Sequence, residues 1–235
     1  MTTPLVLLPG MMCDARLFGP QVAALEDARD VRVMPIHAHQ TVAALANDIL
    51  QDAPERFAIA GLSMGGIVAM EVLRQAPDRI AGLALMDTNP LAEAPEVAAR
   101  RDGQIDKVDK GGLASVMRDE MKPNYLAQTS DREAILDLCM AMALDLGPQA
   151  FINQSRALAA RPDQQGTLAA YRGPALVLCG AEDTLCPIHR HELMHALMPQ
   201  SHLEIIPQAG HLPTLEAADQ TTAALKHWLG TIPDH

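Results

Sequence analysis

The chain has 235 residues and a formal charge of −11, with 49% hydrophobic and 20% charged residues. That balance fits a folded globule and excludes intrinsic disorder, and an acidic surplus without clustered Lys or Arg excludes a nucleic-acid binder. Cys13, Cys139, Cys179 and Cys186 lie far apart with no Cys-x-x-Cys pair. They read as reduced thiols in a cytoplasmic protein, neither a disulfide scaffold nor a zinc site. In chain order, the first apolar run, Leu5–Leu8, has no basic residue before it, so no signal peptide is expected. No later apolar run approaches the roughly 18 residues needed to cross a bilayer, so no membrane contact is expected.

Short apolar runs at Leu5–Leu8, Val31–Ile36, Phe57–Ala60, Ile80–Met86, Ala175–Cys179 and Leu203–Ile206 predict six strands. They do not alternate with polar residues, which predicts burial on both faces. Segments of helical period lie between them at Ala15–Glu26, Val42–Gln51, Met64–Gln75, Ile188–Met198 and Thr214–Leu229, with Thr41 as an N-cap. Alternation of this kind predicts an α/β fold, a mostly parallel sheet of about six strands flanked by helices. From Thr88 to Tyr171 no strand is evident. Ser130-Asp-Arg-Glu133 has the capping-box pattern, and Ile135, Leu138, Cys139, Met142 and Leu146 follow at helical spacing. The expected division is a core of residues 1–87 and 172–235 with a helical cap, 88–171, inserted after the fourth strand.

Gly61-Leu-Ser63-Met-Gly65 directly follows the third strand and opens the next helix. This is the G-x-S-x-G elbow in its proper context. A sharp strand-to-helix turn strains the serine backbone, and glycines on either side let strand and helix approach. The hydroxyl of Ser63 is thereby exposed at the positive end of a helix.

On these residues the chain resembles an α/β-hydrolase-fold enzyme over essentially its whole length, and the antiparallel strands that many relatives carry at the N-terminus are not expected here. The resemblance implies the chain order Ser, acid, His, with a cap where the strandless segment falls. It implies Asp183 as the acid, because Gly180-Ala-Glu-Asp183 matches the family pattern after a strand. Asp87, ending the fourth strand, is the reserve acid, and Glu182 fits less well. It implies His211 as the base, from Gly210-His211 after the last strand. Backbone amides of Met64 and of the Pro9-Gly10-Met11-Met12 loop would form the oxyanion hole, with Met11 expected as the second donor and Met12 the alternative.

His191-Glu192-Leu-Met-His195 is a literal H-E-x-x-H, with Glu216 as a possible third ligand of zinc. It lies in a short helix ended by Pro199, and Ser201 stands where an extended metal-binding pattern needs its third histidine. No phosphate-binding glycine loop occurs.

The expected activity is hydrolysis of a small-to-medium carboxylic ester through an acyl-enzyme, without cofactor or metal. Thioesters, lactones or carbon–carbon bonds would use the same triad. A noncatalytic small-molecule receptor and a zinc metallopeptidase through His191, Glu192 and His195 are alternatives of other classes. The scarcity of Lys and Arg near the motifs predicts a pocket for neutral acyl groups. Met117, Met121, Met140 and Met142 would line that pocket or fill the core. Substrate identity and oligomeric state leave no mark in the sequence.

Overall fold

A computed structural model describes residues 2–129 and 131–233. Strands β1 (Leu5–Leu8), β2 (Val31–Val33), β3 (Phe57–Leu62), β4 (Ile80–Met86), β5 (Ala175–Gly180) and β6 (His202–Ile206) form one sheet. Every pairing is parallel, in the order β2-β1-β3-β4-β5-β6. The four central strands are buried along their whole length, as continuous apolar runs require when helices cover both faces. The two edge strands correct the expectation. β2 stops at Val33 instead of Ile36, and β2 and β6 are partly exposed because each has a neighbour on one side only.

The chain leaves β1 towards β2, then returns across β1 to β3. With right-handed crossovers, this reversal sends successive helices to opposite faces. Helices α1 (Gly19–Leu25) and α10 (Ala218–Gly230) pack together on one face. On the other lie α2 (Val42–Asp52), α3 (Met64–Gln75), α7 (Gln165–Ala170) and α8 (Ile188–Leu197). Thr41 caps α2 as expected, its hydroxyl accepting the Ala44 N–H at 3.2 Å. Two expected helices are broken. Ala15–Phe18 forms a separate 3-10 turn before α1, with Asp14 accepting the Arg16 N–H. The C-terminal helix splits into α9 (Pro213–Glu216) and α10 at Ala217, whose φ of −137° and ψ of 53° are not helical.

Between β4 and β5 the described residues hold helices and turns and no strand. These are α4 (Pro95–Asp109), α5 (Leu113–Val116), α6 (Arg132–Ala159) and α7, with a π-helical turn at Met117–Met121. The expected capping serine, Ser130, lies outside the described residues. α6 corrects one expectation, since by length and composition it could cross a membrane. It is kinked at Gly147 (φ 78°) before Pro148, and it buries Ile135, Cys139, Met142, Phe151 and Leu158 inside the protein.

Candidate functional site

The functional side chains gather at the C-terminal ends of β1, β3, β4 and β5. This is the crevice beside a reversal of strand order where open α/β sheets hold ligands. β3 runs directly into Ser63, whose N–H donates to Met86 O at 2.8 Å and so continues the ladder into the turn. Ser63 then adopts φ 54° and ψ −115°, a conformation costly for any residue with a Cβ. The turn closes because Gly65 has no side chain: a Cβ there would run into the Leu8 carbonyl. Thr88 holds the turn from the far side, its hydroxyl donating to Ser63 O at 2.7 Å.

Three predicted residues meet. His211 Nε2 lies 2.9 Å from Ser63 Oγ, and His211 Nδ1 lies 2.8 Å from Asp183 Oδ2. With the imidazole proton on Nδ1 and donated to the carboxylate, Nε2 is free to accept from the hydroxyl. The second Asp183 oxygen accepts the Leu185 and Cys186 amides at 2.8 and 3.0 Å. Burial opposes ionisation of Asp183, but the charge and hydrogen bond of His211, helped by those amides, outweigh it and hold the carboxyl below its ordinary value.

Asp87 stands elsewhere in this network. It is fully buried, and its Oδ1 accepts the Gly180 N–H at 2.9 Å while Oδ2 makes no hydrogen bond. Burial first, and then the charge of Asp183, push its carboxyl well above the ordinary range, so ionisation is disfavoured there. The histidine therefore bonds to Asp183 and not to the reserve acid.

The loop after β1 is held from α6. Met12, with φ 57°, donates its N–H to Gln154 Oε1 at 2.9 Å, and Gln154 Nε2 donates to Ile36 O at 3.1 Å. The amides of Met11 and Met64 have no acceptor among the described residues. They remain available to a developing oxyanion beside Ser63.

Two residues of the zinc motif have other work. Buried His191 accepts the Thr88 N–H on Nε2 at 3.1 Å, and His195 Nδ1 lies 2.8 Å from Ser201 Oγ. Burial lowers the His191 pKa to about 4, which keeps it neutral as this acceptor role requires. Glu216 accepts the amides of Ala127, Gly210 and Leu212 at 2.8 to 3.1 Å, which fixes the loop around His211. Burial raises its carboxyl above the usual value although those amides favour the charge. The H-E-x-x-H run therefore assembles no ligand set. Among the described residues the one group of potential ligands is Asp183, Cys186 and His211. Asp183 and His211 are already bonded to each other, and burial pushes the Cys186 thiol well above its ordinary value, away from the thiolate a metal takes.

Above Ser63 opens a cleft of about 470 Å³ walled by the loop after β1, the exit of β4, α4 and the turn Met117–Met121. It overturns the expectation of a neutral pocket, for Arg100, Arg101, Arg161 and Arg190 all line it. Arg100, Arg101 and Arg161 are far from the motifs in sequence and arrive by folding, whereas Arg190 directly precedes the H-E-x-x-H run. Met121 lines the cleft, whereas Met117 and Met142 are fully buried core and Met140 packs against the core from a half-buried position.

A model of the alpha/beta hydrolase family matches residues 5–225. The chain belongs to the alpha/beta hydrolase family. Among solved structures, a thermophilic esterase from Thermogutta terrifontis with malate bound is 29% identical to this hydrolase. Its TM-score is 0.90, with 98% of this chain and 90% of that one covered. The enol-lactonase of Burkholderia xenovorans shares the fold at TM-score 0.86 and 22% identity, covering 98% of this chain and 92% of the lactonase. In sequence, the pimeloyl-[acyl-carrier protein] methyl ester esterase of Aromatoleum aromaticum is 25% identical over 90% of this hydrolase and 92% of its own length. The dihydrolipoyllysine-residue acetyltransferase component of the acetoin cleaving system of Pseudomonas putida is 28% identical over 97% of this hydrolase, which spans 63% of that longer protein.

Proposed function

We propose that this hydrolase cleaves a small-to-medium carboxylic ester through an acyl-enzyme. The observation that carries the reading is the chain of contacts from Ser63 Oγ to His211 Nε2 at 2.9 Å and from His211 Nδ1 to Asp183 at 2.8 Å. His211 takes the Ser63 proton as Oγ attacks the ester carbon. The amides of Met11 and Met64 hold the oxyanion, and the imidazolium returns its proton to the departing alkoxide. Water then attacks the acyl-enzyme, with His211 again as base, releasing the acid and restoring the serine. Asp183 keeps the imidazole in the required tautomer and stabilises its cationic form. Residues 88–171 act as a cap over a core of residues 1–87 and 172–235, and the protein works in the cytoplasm, where its four unpaired cysteines stay reduced. The esterases named above support ester chemistry at such a site.

The test is a fluorophosphonate reaction followed by peptide mapping, beside hydrolysis of p-nitrophenyl esters from acetate to palmitate. Labelling at Ser63, with loss of both labelling and turnover in Ser63→Ala, is expected. Turnover of Ser63→Ala at the wild-type rate overturns the mechanism, and a preference for palmitate overturns the small-to-medium substrate.

A further inference from the structure

Hydrolysis of a neutral ester needs no fixed cation in the acyl pocket, yet this cleft has one in its wall. Glu93, at the exit of β4, is 4% exposed, and its two carboxylate oxygens receive Arg101 Nε at 2.5 Å and Arg161 Nη1 at 2.7 Å. The two arginine side chains are 14% and 8% exposed. One carboxylate therefore faces two guanidinium groups, all three withdrawn from bulk water, and one positive charge stays uncompensated. Arg161 Nε donates to Leu91 O at 2.9 Å, and Arg101 Nη1 lies 3.8 Å from Met11 Sδ, next to the oxyanion loop. Nη2 of each guanidinium donates to no described residue. The other acid in the cleft wall, Glu120, is paired with Lys107 at 2.6 Å and so does not supply the missing charge. Burial pulls the Arg161 pKa below its ordinary value, against the pull of Glu93. A buried cation left without an anion is costly, and the surplus here occurs on a chain whose net charge is −11.

We propose that Arg101 and Arg161, held by Glu93, form a carboxylate-binding subsite, and that the substrate is an ester bearing a second, ionised carboxyl group. This rests on the ester-hydrolase reading above and adds the substrate's charge to it. The free Nη2 donors offer charge-assisted hydrogen bonds to that carboxylate, and guanidinium geometry suits its two oxygens. Ser63 meets the ester carbonyl while the carboxylate is anchored beside Met11. A half-ester of a dicarboxylic acid places the anion on the acyl side, and an acylated hydroxy acid places it on the alcohol side. Both present the same chemistry to the cluster.

The experiment compares wild-type kcat/KM for charge-matched pairs. One arm sets monomethyl glutarate and monomethyl adipate against the same methyl esters with the carboxylate replaced by carboxamide. The second sets O-acetyl glycolate and O-acetyl lactate against their amides. A preference for the carboxylate of about tenfold or more is expected in one arm, which identifies the side that carries the charge, because a hydrogen bond to a charged group is worth about one decade or more. Arg101→Gln and Arg161→Gln should lower that ratio towards one, and Arg101→Lys should retain part of it. Equal rates for carboxylate and carboxamide in both arms overturn the proposal while leaving ester hydrolysis intact. Should the arginine variants unfold, the wild-type ratios still decide. Should no ester be turned over, the serine reading fails by itself, and calorimetric titration of Ser63→Ala with glutarate and glutaramide decides the subsite. Tighter binding of glutarate supports it, and indifference overturns it.

Discussion

Two carboxyl groups at neighbouring strand ends are shifted in opposite directions, Asp183 down and Asp87 up, and their surroundings explain why. Asp183 receives two amides and a histidine, whereas Asp87 receives one amide inside a fully buried site with Asp183 nearby. Asp183→Asn is therefore expected to lower kcat by about 10³- to 10⁴-fold, because the amide favours the wrong imidazole tautomer. Asp87→Asn removes a carboxyl whose ionisation is already disfavoured, keeps an acceptor for Gly180, and should stay within several-fold of wild type. Steady-state kinetics on the two variants, each checked for a native circular dichroism spectrum, makes the comparison; the reverse ranking would mean that Asp87 is the working acid. The same buried carboxyl sets a pH dependence of stability. Its folded pKa is raised, so the stability it contributes is complete below its unfolded value of about 3.9 and is lost as pH rises towards the folded value. Asp87→Asn removes that loss. Its Tm should gain on wild type as pH rises above about 4, and a constant Tm difference from acid to alkaline pH would contradict the upward shift.

At the scale of elements, the site is made by strand ends meeting helix starts under tight backbone contact. Met12, Ser63 and Asp87, after β1, β3 and β4, all have positive φ without being glycine. With Gln208 after β6, that makes four such residues at the C-terminal ends of the strands, which points to a geometry imposed by the surroundings rather than by local preference. Gln154, from the second half of α6, is one source of that constraint, since it holds Met12 N and Ile36 O at once and is 1% exposed. Gln154→Ala leaves both groups without their partner and should cost about 1–3 kcal/mol of stability. Because the loop it holds carries the Met11 amide, kcat should fall more than KM rises. Thermal unfolding together with full Michaelis curves distinguishes this from a purely structural defect, which would lower the amount of active enzyme but leave KM and kcat per folded molecule unchanged.

Across the whole molecule, the core and the helical segment between β4 and β5 are tied at His211, the proposed base. His211 N–H donates to Tyr125 O at 2.7 Å, and Glu216 accepts from both Ala127 and the two residues flanking His211. The position of the imidazole thus depends on segments about ninety residues apart in the chain. Glu216→Gln turns an acceptor towards fewer donors and sets an amide NH₂ against backbone N–H groups. A loss of about 1–3 kcal/mol is expected, along with slower fluorophosphonate labelling of Ser63. Labelling at the wild-type rate in a destabilised variant would show that Glu216 supports the fold without positioning His211.

Local pattern determined much of this protein. Unbroken apolar runs such as Phe57–Leu62 and Ile80–Met86 state central parallel strands, because only a strand covered on both faces can be apolar throughout. The Gly61-Leu-Ser63-Met-Gly65 turn is legible because its steric demands fall within five consecutive residues. Asp183 and His211 were found by chain order, and the expected meeting of the two with Ser63 has its counterpart in the observed contacts. Helix breaks and polar clamps were not legible, and edge strands only faintly so. β2 and β6 carry Arg32 and Glu204 among their apolar residues, a weak signal that their burial is incomplete, and the sheet order makes them edges. The contact that occupies the Met12 amide comes from a glutamine 142 positions away, and the contact between His191 and Thr88 is likewise made only in the folded chain. The charge of the cleft is the clearest case. Arg101 and Arg161 are unremarkable surface-type residues in the sequence, and they become a buried cationic wall only when the folding of α4 and α6 brings both onto Glu93. Periodicity and motifs report interactions between near neighbours in the chain, whereas electrostatic environment sums over everything near in space, and only the tertiary structure decides what that is.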